Sequence, residues 1–150
     1  PETGPGAESD MRATHGSIAP DSLDQMSWRI GDTGFEMSLD RRVPATIRDH
    51  APRFLAELLA RAGLTRAEIR RWAPHPGGRR IVAELSESLS LDEDATLSAR
   101  QVLADCGNMS SATIFFVLER ELARGGAGPL AALGFGPGLT MEGAIFLPMR

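Results

Sequence analysis

The chain has 150 residues, a formal net charge of −4 and one cysteine. This length suits one domain with a hydrophobic core, and no apolar run is long enough to span a membrane. The acidic balance argues against nucleic acid or an anionic membrane as the main partner. A single cysteine excludes an internal disulfide, and three scattered histidines lack metal-ligand spacing. We therefore expect no metal site and a cytoplasmic location.

The N-terminal part of the sequence predicts a flexible segment followed by three strands. Residues 1–9 are rich in Pro, Gly and Glu and are expected to be a flexible surface segment, with the domain at 10–150. Residues 11–18 are predicted as a strand. Residues 26–30 and 35–39 alternate apolar and polar positions around a Gly-Asp-Thr-Gly turn, a pattern typical of a β-hairpin.

Apolar residues recur at three- and four-residue spacing over residues 44–62 and predict an amphipathic helix. Pro44 suits its first turn and Gly63 its C-terminal end. Pro52 lies inside this pattern, where a ring without an N–H is expected to kink or interrupt the helix.

Two polar side chains, His75 and Asn108, each stand at a break in an apolar pattern, before a segment of helical pattern. His75 follows a predicted strand at 69–73 and precedes a predicted helix at 79–89. Ser110 follows Asn108 and is expected to cap the next helix. A helix start presents its positive end to what precedes it, so a His and an Asn held there suit stabilisation of an oxyanion or enolate. The alternative is that each is only a turn or cap residue.

The remaining segments predict a helix between strands. Residues 111–123 are apolar on almost every side and are predicted to form a central buried helix. The apolar runs at 130–135 and 144–147 have strand length and are separated by a Gly-Pro-Gly loop at 136–138. The acids at 92–94 are interpreted as a solvated loop. Strands alternating with helices indicate an α/β class with a mixed sheet.

Three motifs together carry a family resemblance: HPGGR at 75–79, GNMSSAT at 107–113 and GFGPGLTME at 134–142. In this order they resemble the C-terminal half of a type III polyketide synthase, the chalcone and stilbene synthase family. The resemblance extends upstream and covers most of the chain from about residue 10 to 147. It implies that the fold is the C-terminal half of a thiolase-like fold. Third-class ketoacyl synthases are similar, but usually lack the Pro-Gly-Gly and Gly-Pro-Gly signatures.

The resemblance implies a mechanism with a nucleophilic Cys, a His and an Asn. The Cys takes an acyl group from acyl-CoA, and decarboxylated malonyl-CoA attacks it in a Claisen condensation. His75 would pair with the thiolate and donate to the carbonyl oxygen, and Asn108 with His75 would stabilise the enolate. The substrates would be CoA thioesters, with no other cofactor, and the enzyme would be a homodimer.

The resemblance also assigns residues to the CoA tunnel and the substrate cavity. They are Gly77, Gly78, Ser110, Gly136, Pro137, Gly138 and Met37. Glycine lets backbone approach the pantetheine arm closely because it has no side chain. Met37 falls near a family position often held by Phe at the mouth of the cavity. A core or strand-surface Met is the alternative interpretation.

In the family the nucleophilic Cys lies in an N-terminal half, which we expect to be missing from this chain. Cys106 is expected to be a buried structural cysteine rather than the nucleophile. The chain alone should therefore be inactive and need a Cys-bearing half, against which the apolar helix would pack. One alternative is a non-catalytic half-domain that binds acyl-CoA or a partner chain. Another is a ketoacyl synthase that takes acyl carrier protein.

Overall fold

The computed structural model describes residues 9–148, which form a four-stranded mixed sheet, a separate hairpin and four α-helices. The strands of the sheet are β1 (Ser9–Ile18), β4 (Arg71–Pro74), β5 (Leu130–Gly136) and β6 (Thr140–Pro148). They lie in the order β1-β6-β5-β4, with β4 parallel to β5 and the other pairs antiparallel. The predicted α/β class with a mixed sheet is confirmed. The flexible segment predicted at 1–9 lies almost entirely outside the described residues.

One face of the sheet is covered by α1 (Val43–Ala62) and α2 (Arg79–Leu89). The helix α1 continues through Pro52, so the expected interruption does not occur. A proline inside a helix lowers helix stability by about 3 kcal/mol. The free energy gained by burying nine residues of α1 outweighs this loss. The helix ends as predicted at Gly63, which adopts the left-handed conformation with φ of 70°.

The other face carries α3 (Leu97–Cys106) and α4 (Thr113–Ala123), which pack against β4 and β5. Only Thr113, Val117 and Glu121 of α4 are buried, one residue per turn. Phe115 and Phe116 are 69% and 43% exposed. The prediction of a buried central helix therefore holds only for the side of α4 that faces the sheet. The opposite side is exposed, because no other element of the described chain packs against it. Within residues 9–148 there is no helix both long and apolar enough to cross a bilayer.

The predicted hairpin is confirmed as β2 (Met26–Gly31) paired with β3 (Gly34–Leu39). One face of this ribbon is apolar, formed by the cross-strand pairs Met26–Leu39, Trp28–Met37 and Ile30–Phe35. The opposite face carries Arg29 paired with Glu36 and Ser27 bonded to Ser38. Since strand side chains alternate between faces, the period-2 pattern fixes this division.

The predicted and observed strand boundaries differ most at β4 and β6. The strand expected at 69–73 begins at Arg71, because Thr65 and Glu68 close a short 3-10 turn before it. The backbone N–H of Thr65 donates to Glu68 Oε2 at 2.8 Å, as a capping box does. The strand expected at 144–147 is longer, since pairing with both β1 and β5 extends β6 from Thr140 to Pro148.

A buried charged cluster ties the strand β4 to the helices α3 and α4. Arg71 and Glu121 are 7% and 5% exposed, and Arg71 Nε lies 3.7 Å from Glu121 Oε1. The guanidinium also donates to the backbone carbonyl of Glu121. The Glu121 Oε2 atom accepts from Ser98 Oγ at 2.6 Å and from Arg124 Nη1 at 3.0 Å. The cluster therefore fixes α4 against the strand that leads to His75.

Substitution Glu121→Gln should lower the free energy of unfolding by about 3 kcal/mol, because it leaves the buried Arg71 charge without a counter-ion. Urea denaturation of the chain measures this value. Glu119→Gln is the matched control, since Glu119 is exposed on the same helix and should change stability by less than about 0.5 kcal/mol. Equal effects of the two substitutions would show that the buried pair does not stabilise the fold.

Candidate active site

His75 follows directly on β4 and is positioned by the sheet. Its backbone N–H donates to the carbonyl oxygen of Leu133 on β5 at 2.7 Å, which continues the parallel pairing by one residue. The imidazole is half-buried, and this burial lowers the pKa of His75 below its ordinary value of 6.5. The ring is therefore neutral at pH 7 and carries one N–H donor.

Gly77 lies against the imidazole of His75. A Cβ at Gly77 would be 3.0 Å from Ile81 Cδ1, which is a tight contact, and 3.6 Å from His75 Cδ2, which is an ordinary one. The N–H of Gly77 donates to the carbonyl of His75 at 3.0 Å, which closes a tight turn. The Pro-Gly-Gly sequence thus reverses the chain directly beside the ring, before α2 begins.

Asn108 approaches the same place from the loop after α3. Its Nδ2 donates to the carbonyl oxygen of Gly77 at 3.0 Å, and its Oδ1 accepts from the backbone N–H of Ser110 at 2.9 Å. A backbone N–H can only donate, so this bond fixes which end of the amide is oxygen. One Nδ2 proton is donated to Gly77, and among residues 9–148 the second Nδ2 proton has no acceptor.

The loop around Asn108 has an unusual backbone. Gly107 has φ of 72° and ψ of −167°, a conformation that strains residues with a side chain, and Ser110 has φ of 59°. The prediction that Ser110 caps the next helix is wrong, because α4 begins at Thr113. Instead, the backbone N–H of Ser110 is turned toward Asn108, and Thr113 Oγ1 accepts from the N–H of Met109 at 2.8 Å.

An open cavity of about 690 Å³ has His75 and Asn108 in its wall. Its lining is mostly apolar and comes from the sheet, the hairpin, the Gly77 turn and the start of α4. His75 and Glu142 are the titratable residues of the lining. An apolar cavity with a few convergent polar groups has the features of a small-molecule site. The structure thus brings together two groups that are far apart in the sequence.

The sequence profile of the family "Chalcone and stilbene synthases, C-terminal domain" matches residues 10–149. The chain belongs to the chalcone and stilbene synthase family. The resemblance predicted from the three motifs is confirmed, and so is the thiolase-like architecture.

Two curated relatives in this family are synthases from a bacterium and a plant. The 1,3,6,8-tetrahydroxynaphthalene synthase of Streptomyces peucetius subsp. caesius is 37% identical over 137 residues, covering 88% of this chain and 36% of that protein. Type III polyketide synthase C of Arabidopsis thaliana is 36% identical over 134 residues, covering 84% and 35%. The chain therefore spans about a third of the length of these relatives.

The fold is also that of solved type III polyketide synthases. The crystal structure of 1,3,6,8-tetrahydroxynaphthalene synthase from Streptomyces coelicolor A3(2) superposes with a TM-score of 0.87 and 31% identity, over 96% of this chain and 42% of that chain. The PKS-I of the brown alga Ectocarpus siliculosus gives the same TM-score with 29% identity, over 98% and 41%.

Most of the residues that the chalcone and stilbene synthase resemblance assigned to the site line the cavity. They are His75, Asn108, Gly77, Ser110, Gly136, Pro137 and Met37. Gly78 and Gly138 lie outside the lining. Gly78 is instead the residue that precedes α2, and Gly138 has φ of 74° in the turn between β5 and β6.

Sequence reasoning missed two prominent lining residues, Trp28 and Glu142. Trp28 lies directly across the hairpin from Met37, and the alternation of the two predicted strands is the signal that could have placed both side chains on one face. Glu142 belongs to the third family motif and pairs with Gly16 on one side and Gly134 on the other. The carboxylate of Glu142 lies against Gly16, where a Cβ would be 2.6 Å from Oε2, so the absence of a side chain at position 16 makes room for it.

Cys106 is exposed at the last residue of α3, so the prediction that it is buried is wrong. The helix buries only Ser98, Ala99 and Val102, and its buried stripe ends one turn before Cys106. Cys106 is also absent from the cavity lining, although it lies two residues before Asn108.

In a complete enzyme that contains this chain, Cys106→Ala should leave malonyl-CoA decarboxylation and acyl-enzyme formation within about twofold of wild type, because exposed substitutions change little. Mass spectrometry of the acylated protein and a decarboxylation assay measure both. In the native 150-residue chain, Cys106 should react readily with a thiol reagent. Complete loss of acyl-enzyme formation would identify Cys106 as the nucleophile and contradict this prediction.

Proposed function

We propose that this chain supplies the histidine and asparagine of a type III polyketide synthase, an acyltransferase. The complete enzyme would condense malonyl-CoA, with decarboxylation, onto an acyl group taken from acyl-CoA. The observation that carries this proposal is the meeting of His75 and Asn108 at one cavity, joined through Gly77. A module that only binds acyl-CoA needs neither group in this arrangement.

The roles of the two residues follow from the charge that the reaction develops. Decarboxylation of malonyl-CoA breaks the bond to the carboxylate carbon and leaves an enolate with its negative charge on the thioester oxygen. The N–H of neutral His75 and the second Nδ2 proton of Asn108 would donate to that oxygen. Fixed neutral donors stabilise such charge without reorganising and without bringing a strong acid to the carbanion.

The cavity accounts for the substrate class. The growing chain of a polyketide synthase is a small, partly apolar molecule, and the wall formed by the hairpin and α4 is mostly apolar. Gly77 lets the pantetheine arm approach the backbone next to His75. Gly136 and Pro137 shape the opposite wall in the turn between β5 and β6.

The nucleophile would come from a Cys-bearing half of the same fold. Cys106 is exposed and lies outside the cavity lining, so it does not suit that role. The exposed side of α4, with Phe115 and Phe116, is an apolar surface that such a half would cover. We therefore propose that the chain alone is inactive and that the complete enzyme is a homodimer, as is usual in the family.

The test uses malonyl-CoA labelled at its free carboxyl carbon. The complete enzyme, in which this chain is combined with a Cys-bearing half, should release labelled CO₂ and form acetyl-CoA, and the 150-residue chain alone should do neither. Turnover by the 150-residue chain would contradict the need for a second half. Binding of acyl-CoA without any release of CO₂ would favour a non-catalytic binding domain. Faster release from malonyl-acyl carrier protein would instead favour a ketoacyl synthase.

A further inference from the structure

Thr113, the first residue of α4, uses its side chain on the loop that carries Asn108. It is fully buried, and its Oγ1 accepts from the N–H of Met109 at 2.8 Å. The same hydroxyl donates to Asn108 Oδ1 in a long hydrogen bond of 3.5 Å. A threonine in a helix commonly bonds back to a carbonyl four residues earlier. The Thr113 hydroxyl instead bonds to the backbone N–H of Met109, which lies four residues earlier. It therefore stabilises the loop before α4 and not the helix itself.

The amide of Asn108 depends on these contacts for its orientation. The terminal torsion of an asparagine is broad and roughly two-fold, so the side chain alone does not prefer one end of the amide. Rotation by half a turn would place Oδ1 where Nδ2 now lies, opposite the carbonyl oxygen of Gly77. It would also remove the donor that an enolate oxygen needs and present an acceptor instead.

The same contacts connect Asn108 to His75. The carbonyl of Gly77 accepts from Asn108 Nδ2, and the N–H of Gly77 donates to the carbonyl of His75. Gly77 also lies against the imidazole ring. A bonded path therefore runs from Thr113 through Asn108 and Gly77 to His75, so a shift at its buried end moves the donors of the cavity.

We propose that Thr113 is a positioning residue that holds the Asn108 amide with its free Nδ2 proton toward the ligand. The proposal rests on the proposed function, since it deepens the role given there to Asn108. In Thr113→Val the shape of the side chain is kept and the hydroxyl is lost. The N–H of Met109 then has no partner, and the loop moves to satisfy it.

The first test needs no activity and uses the only asparagine of the chain, Asn108. The 150-residue chain is labelled with asparagine carrying ¹⁵N in its side-chain amide, which gives one pair of NMR signals. In Thr113→Val these signals should move toward those of free asparagine, and Thr113→Ser should restore them. Thr96→Val is the matched control, because Thr96 is 1% exposed and its Oγ1 accepts from Arg100 Nε at 2.9 Å. Unchanged signals in Thr113→Val would overturn the proposal.

The second test measures malonyl-CoA decarboxylation in the complete enzyme. Thr113→Val should lower kcat by about 10- to 100-fold and leave KM within about twofold, since a misplaced donor affects the transition state more than binding. Thr113→Ser and Thr96→Val should keep the wild-type kcat. An unchanged kcat in Thr113→Val, or an equal loss in Thr96→Val, would overturn the proposal. If the wild-type protein does not decarboxylate malonyl-CoA, the proposed function fails and the NMR result alone decides the positioning.

Discussion

Asn108→Ala in the proposed complete enzyme should lower kcat for malonyl-CoA decarboxylation by about 100- to 1,000-fold, the usual effect of removing one oxyanion donor. The substitution removes the Nδ2 proton that would face the enolate oxygen. It also releases the carbonyl of Gly77 and the N–H of Ser110 from their partner. Because the lost hydrogen bond would form mainly in the transition state, KM should change little. Release of labelled CO₂ under saturating malonyl-CoA gives kcat directly.

The controls for Asn108 separate the donor from the side-chain volume. Asn108→Asp keeps the shape of the side chain but would place a negative charge beside the developing charge of the enolate. Its kcat should therefore fall at least as far as that of Asn108→Ala. Gln101→Ala removes an exposed amide from α3 and should leave kcat unchanged. Wild-type decarboxylation by Asn108→Ala would exclude the proposed role of this residue.

His75→Ala should also suppress decarboxylation by about 100-fold or more, because under the proposed mechanism it would remove the second donor to the same oxygen. His75→Gln keeps an N–H donor near that position and should retain more activity than His75→Ala. His50→Ala is the matched control, since His50 lies on α1 and does not line the cavity. A kcat equal to wild type in His75→Ala would refute the assignment.

The pH profile of decarboxylation tests the protonation state that the proposed role of His75 requires. Burial lowers its pKa below 6.5, so the neutral donor persists into mildly acidic solution. Protonation of the buried ring should therefore reduce the rate only below pH 6.5, and His75→Gln should lack this acidic limb.

The unfolded chain takes up the proton more readily than the folded chain, so His75 also lowers stability as the pH falls through 6.5.

The two catalytic candidates differ in how firmly the fold holds them. His75 is fixed by strand pairing, and its strand is tied to α4 by the buried pair of Arg71 and Glu121. Asn108 lies on an exposed loop that only side-chain and turn contacts hold. Loss of a side-chain contact to this loop should therefore disturb Asn108 more than His75.

The sequence by itself determined the local elements and the family. The period of the apolar residues over 44–62 predicted α1, and the alternation around the Gly-Asp-Thr-Gly turn predicted the hairpin. These patterns are local, because side chains within one element repeat with the period of its backbone. The three motifs identified the family because they preserve both residue type and order. They also marked His75 and Asn108 as the residues of interest.

Only the tertiary structure decided which of these residues meet and which side chains are exposed. The contact between Asn108 and Gly77 needs β4 to pair with β5 and α4 to pack beside them, and no local pattern records that arrangement. Cys106 and Phe115 are apolar residues in helical patterns, yet both are exposed, because burial depends on a neighbouring layer and not on the helix itself. The orientation of the Asn108 amide was likewise set by the turned N–H of Ser110 and the hydroxyl of Thr113, contacts that exist only once the loop is folded.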